Sequence, residues 1–230
     1  MLEGGSAINS ASPYLLPFVV YVLGVSLAAQ FPSQYPLVYA AVVVVVTTLS
    51  WRLCRGRGIF IPHCRVGGAI LIGLVGIALW IGLSELRVEE RIAEYLPGWL
   101  RPTRRAAYNP FAELALPLAA GGFVALRLFG LAVLVPLVEE LFWRGFLLRW
   151  VISENWQDVP LGRFTVTSFL VVTLFFTLVH PEWFAAATYC ALLNGLLYWK
   201  RNLWDCIVAH SVSNLVLGVY VLLTGAWWLW

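Results

Sequence analysis

Charge is what this chain has least of. Only 12% of its 230 residues are Asp, Glu, Lys or Arg, about half of the roughly 25% usual in soluble domains. With 61% hydrophobic residues, that scarcity excludes an ordinary water-soluble fold. The net charge of +3 gives no sign of a nucleic-acid surface; most of the arginines lie between apolar runs, where they bear on orientation. The four cysteines include no Cys-x-x-Cys pair, so no disulfide framework is expected. Cys54, His63 and Cys64 share a basic loop, but their spacing is unlike structural zinc sites, and they read as loop residues. There is no His-Glu-x-x-His, no internal repeat and no low-complexity linker. No basic residue precedes the first apolar run, which reads as a retained span rather than a cleaved leader.

What is present is a succession of apolar stretches, each about the length that crosses a bilayer as a helix of ~20 residues. The expected fold is all-α: one polytopic transmembrane bundle of about 7–8 helices, residues 1–230 forming a single integral-membrane domain. Its N-terminal helices fall within 13–86, as Pro13–Gln30, Tyr35–Leu53 and Gly67–Leu86. Glycines 67, 68, 73, 76 and 82 in the third predict close helix packing. Residues 87–108 mix charge with Val88, Ile92, Tyr95 and Leu96, the pattern of a helix lying at the interface. The core, about 118–224, comprises Leu118–Ile152, bent or broken near Pro136, then Phe164–His180, Trp183–Trp199 and Leu203–Leu223. Trp227, Trp228 and Trp230 read as an interfacial aromatic anchor.

Arg52, Arg55, Arg57 and Arg65 mark their loop, and with it the N-terminus, as cytoplasmic. A single crossing by Leu118–Ile152 then leaves the five arginines between Arg87 and Arg105 outside, against the rule. A re-entrant third span, with Leu118–Ile152 split into two short crossings at Pro136, removes the conflict and gives eight membrane helices.

Against this apolar background Glu139, Glu140 and Arg144 stand out. A charge at the bilayer centre costs at least ~2.5–3.5 kcal/mol, so three together need partners and a purpose. Glu140 and Arg144 are four residues apart, on one helical face, in the favourable order for an ion pair. Glu139 is turned ~100° away and faces something else. A desolvated carboxylate suits a general base. Taken alone, a buried ion-pair network clamping the bundle would also account for all three charges. His180 ends its helix before Pro181, with Phe176 one turn earlier on the same face. His210 and Asn214 share a face of the last span, with Ser213 beside them, and Asn194 reads as interhelical glue.

In order, the three clusters read Glu-Glu-x-x-x-Arg, Phe-x-x-x-His and His-x-x-x-Asn, each on its own apolar helix. Over Pro136–Leu217 the chain therefore resembles the membrane-embedded CAAX-processing endopeptidases and their bacterial relatives, the CPBP or Abi group. In size and Trp content it is also similar to bacterial members linked to exosortase systems. The resemblance implies an intramembrane endopeptidase in which Glu139 and His180 activate water and His210 and Asn214 hold the oxyanion. Glu140, Arg144 and Phe176 fall on supporting positions. Peptide hydrolysis needs a base, an acid for the leaving amine, and donors where negative charge develops. No cofactor is expected; a zinc-dependent version of the same site would use Glu139, His180 and His210.

The expected partners are a membrane-associated protein or peptide substrate and the lipid bilayer, with no nucleic acid. The expected location is the cell membrane, a bacterial inner membrane, crossed several times with the N-terminus cytoplasmic. Prenyl-protein processing is the role of eukaryotic members of the group, while other bacterial relatives act in bacteriocin immunity. A non-catalytic immunity or assembly factor is thus the competing reading. A proton-coupled transporter using Glu139 and His180 is a third, though no paired inverted repeat supports it.

Overall fold

The computed structural model describes residues 3–98, 101 and 107–230. Among them the apolar stretches fold as nine helices and no strand: α1 (Glu3–Ala28), α2 (Tyr35–Cys54), α3 (Gly67–Glu85), α4 (Val88–Ala93), α5 (Pro110–Glu113), α6 (Pro117–Trp150), α7 (Val166–Leu178), α8 (Trp183–Lys200) and α9 (Leu203–Thr224). Proline opens α5 and α6, where a missing N–H costs no helical hydrogen bond. Thr165 caps α7 by accepting from Ser168 N at 3.1 Å, and Asn202 caps α9 through Trp204 N at 2.8 Å. Gly225, at φ 70°, closes α9 in the left-handed conformation that glycine takes without strain.

Five helices are long and apolar enough to cross a bilayer: Ser10–Ala28 within α1, Pro32–Cys54, α3, α6 and α9. With α7 and α8 they make seven apolar helices, the transmembrane bundle expected. The connections alternate between its two ends. At one end His63 and Asp205 pair at 3.0 Å, Phe60 stacks on Trp204, and Tyr14 meets Trp156 edge-on. At the other, Tyr35 packs on Tyr108, Phe111 on Trp227, and Arg87 over Trp228.

Two expectations are corrected. α3 is one continuous helix of 19 residues and α6 one of 34, so neither the re-entrant third span nor the split at Pro136 occurs. Arg87, Arg91 and Arg101 therefore lie at the end opposite Arg52–Arg65; Arg104 and Arg105 fall outside the described residues. The interfacial helix expected over 87–108 is also shorter, only Val88–Ala93 among the described residues. Its Glu89 is buried, accepting from Phe184 N at 2.8 Å and so capping the start of α8.

Pro136 explains how α6 stays whole. Proline has no N–H and crowds the carbonyl of the preceding turn. The chain widens ahead of it into a π-helical turn, Gly130–Leu134, in which Val135 N bonds back to Gly130 O. Pro136 cannot make the next bond of that pattern, so Leu131 O is released from the helix. A second wide turn, Leu141–Leu147, follows.

α3 lies close against α8 and α9 because two glycines permit it. A Cβ at Gly73 would stand 2.5 Å from Ala209 O, and one at Gly76 would stand 2.6 Å from the Tyr189 ring.

Candidate active site

Glu140 is the pivot. It is fully buried, and its Oε1 accepts from Arg144 Nη1 at 3.1 Å, the i, i+4 ion pair. The same oxygen lies 2.8 Å from His210 Nδ1 on α9. A carboxylate paired with arginine only accepts, so Nδ1 carries the hydrogen and Nε2 is the nitrogen left for chemistry. Arg144 is equally buried and spends its remaining donors on α8. Nε reaches Asn194 Oδ1 at 3.1 Å and Nη2 reaches Cys190 O at 3.3 Å. Asn194 is thus interhelical glue, as expected from its mid-span position.

A second line of contacts runs from Arg144 to His180. The guanidinium lies over the Phe176 ring at 5.2 Å, and Phe176 stacks on His180 at 4.4 Å and 25°. His180 Nδ1 donates to Phe176 O at 2.7 Å, which fixes the ring and again makes Nε2 the chemical nitrogen. Trp80 then meets both His180 and Tyr189 edge-on, at 5.5 and 5.8 Å, and Tyr189 meets His210 at 5.6 Å. The contacts close on themselves: His210, Glu140, Arg144, Phe176, His180, Trp80 and Tyr189 form one ring drawn from α3, α6, α7, α8 and α9.

α7 is short for a membrane helix. Thirteen residues span about 20 Å, well under the ~30 Å hydrocarbon core. The turn bearing His180 ends beside the Phe176 ring that the Arg144 guanidinium covers. Irregular backbone at membrane depth is tolerated where protein surrounds it.

Glu139 stands beside Glu140, half-buried, within electrostatic reach of Tyr189 and of Tyr21 on α1. Asn214, one turn beyond His210, donates through Nδ2 to Leu131 O at 2.8 Å, the carbonyl released by Pro136. That bond ties α9 to α6 and leaves the amide one further N–H. Ser213 accepts from the Tyr189 hydroxyl at 2.8 Å and lies 2.8 Å from Gly73 O. The structure thus gathers Glu140, Arg144, Phe176, His180 and His210 directly, and sets Glu139 and Asn214 beside them on the same two helices. Among the described residues no group of three His, Cys, Asp or Glu side chains is close enough to hold a metal ion.

Sequence reasoning missed Trp80 and Tyr189. In a chain with 12 Trp and 9 Tyr, neither carries a local signal; only the glycine gap at Gly76 marks where the Tyr189 ring enters.

Residues 121–216, somewhat less than half of the chain, match the family model described as type II CAAX prenyl endopeptidase Rce1-like. The matched segment holds Glu139, Glu140, Arg144, Phe176, His180, His210 and Asn214. The match is to the family as a whole and does not single out the exosortase-linked branch. No curated protein and no solved structure matches the chain.

Proposed function

We propose that the protein is an intramembrane endopeptidase that hydrolyses a peptide bond of a membrane-associated protein substrate. The observation that carries this reading is the closed ring joining both histidines through Glu140, Arg144 and Phe176. A lipid-facing scaffold needs no such arrangement of two imidazoles, each held through Nδ1.

In this mechanism Glu139 takes a proton from water, which His180 holds through Nε2, and the water oxygen attacks the carbonyl carbon. The tetrahedral oxyanion receives hydrogen bonds from His210 Nε2–H and from the second N–H of Asn214. Because His210 Nδ1–H is held by Glu140, a hydrogen on Nε2 as well makes His210 an imidazolium, which shares the Glu140 carboxylate with Arg144. The proton on Glu139 passes to the amide nitrogen, the C–N bond breaks, and a carboxylic acid and an amine leave. No metal enters this scheme; both histidines and Glu139 have protein roles within it.

The orientation follows from loop charge. One end of the bundle carries Arg52, Arg55, Arg57, Arg65, Arg149, Arg163, Lys200 and Arg201, more basic residues than the five between Arg87 and Arg105. That end, with the N-terminus, is cytoplasmic in this reading. The membrane is the bacterial inner membrane, and the His180 turn opens toward the opposite side.

Purified protein should cleave a membrane-associated peptide, and Glu139→Gln should fold normally while losing about 10²–10⁴ in rate. Full activity in Glu139→Gln would remove the glutamate from the mechanism. Loss of activity on chelation, with rescue by zinc, would transfer the site to metal chemistry.

A further inference from the structure

Arg127 lies within the α6 span, twelve residues before Glu139 and about 18 Å from it along the helix. Unlike Arg144, Arg127 is in none of the ion pairs seen among the described residues, such as His63–Asp205, Arg144–Glu140 and His210–Glu140. Its surroundings are aromatic instead. The guanidinium lies 4.8 Å from the Tyr39 ring, 5.7 Å from Tyr35 and 5.9 Å from Trp230, and it donates to the Tyr35 and Tyr39 hydroxyls.

Rings stabilise a cation through their faces but give its N–H groups few acceptors. A second donor stands in the same cluster. Trp230 is 93% buried, and its Nε1 has no hydrogen-bond partner. A buried donor without an acceptor costs about 1–3 kcal/mol, and here the ring that carries it lies 5.9 Å from the guanidinium. Both defects are removed by one ligand: a compact oxyanion that takes the guanidinium fork and the indole N–H together.

The height in the membrane narrows the choice. Tyr35, Tyr108 and the Trp227–Trp230 tail all gather at this end of the bundle, the aromatic belt that marks headgroup level. Phosphate is the oxyanion found there, and arginine meets it with paired hydrogen bonds. We propose that Arg127 and Trp230, walled by Tyr35 and Tyr39, bind a phosphate group, supplied by the headgroup of an anionic phospholipid or by free phosphate. This site does not depend on the peptidase reading.

The test uses the full chain in detergent, with native mass spectrometry for lipid retention and thermal unfolding for stability. The probes are phosphatidylglycerol, diacylglycerol with the same tails, and inorganic phosphate. Wild type and Arg127→Lys should retain phosphatidylglycerol over diacylglycerol, and Arg127→Gln should bind it about tenfold less well. Trp230→Phe keeps the ring, loses the donor and should bind several-fold less well while unfolding at the wild-type temperature. Should Arg127→Gln fail to fold, Trp230→Phe decides the matter alone. Stabilisation by inorganic phosphate without lipid preference would assign the site to free phosphate. Equal retention of both lipids with no phosphate effect, or wild-type binding in Trp230→Phe, would overturn the proposal.

Discussion

Glu140 Oε1 lies 2.8 Å from Nδ1 of His210, a residue seventy positions later in the chain. The same oxygen holds Arg144, so one carboxylate sets both the clamp between α6 and α8 and the hydrogen position on the α9 imidazole. This gives Glu140 a share in the chemistry that its i, i+4 spacing alone does not reveal.

Replacing Glu140 by Gln should lower stability as well as activity. It leaves the buried Arg144 guanidinium without its carboxylate, and breaking a buried pair costs roughly 3–5 kcal/mol. Thermal unfolding in detergent measures the loss. Wild-type unfolding in Glu140→Gln would mean that the pair does not clamp α6 to its neighbours.

Arg144→Ala should be the variant that fails to fold. It leaves Glu140 fully buried with a cation removed, and breaking a buried pair costs roughly 3–5 kcal/mol. Glu139→Gln, at a half-buried position, should extract from membranes near the wild-type level. Similar losses of monodisperse protein for both would contradict this division between clamp and base.

Asn214 carries two separable roles. Asn214→Ala strands Leu131 O and should lower stability by about 1–3 kcal/mol. Pro136→Ala restores an N–H to α6 that competes for the released carbonyl, so the stability cost of Asn214→Ala should shrink in that background. Unfolding of the two single variants and the double variant measures the coupling, expected at about 0.5–3 kcal/mol. Hydrolysis should stay impaired in the double variant, because the oxyanion donor is still missing. Strict additivity would mean that Pro136 is not why Asn214 finds a partner.

In the proposed orientation, with each of the seven apolar helices crossing once, the C-terminal tail lies outside. A periplasmic phosphatase fused after Trp230 should be active, and a cytoplasm-only fluorescent reporter at the same place should stay dark. The reverse pattern would mean an even number of crossings or an inverted bundle.

Much of this was legible in the chain. Runs of apolar residues specify membrane helices because the bilayer demands both a length and an internally satisfied backbone. The Glu140–Arg144 pair was readable from helical spacing, since it needs only one helix to form. Asn194, Gly73 and Gly76 were also readable as packing positions, because small or polar residues are costly facing lipid unless a neighbouring helix takes them up.

What tertiary structure alone decided are the relations between helices. Pro136 reads locally as a break, yet a π-helical turn absorbs it, and the freed Leu131 carbonyl becomes the seat of Asn214. His180 and His210 are joined in one layer of contacts only through Phe176, Arg144 and Glu140. Trp80 and Tyr189 complete that layer from helices that carry no motif. The physical reason is the same in each case. Period and composition report which residues share one helix face, whereas contacts across 70 residues depend on where each helix begins, how long it is and where glycine lets it approach.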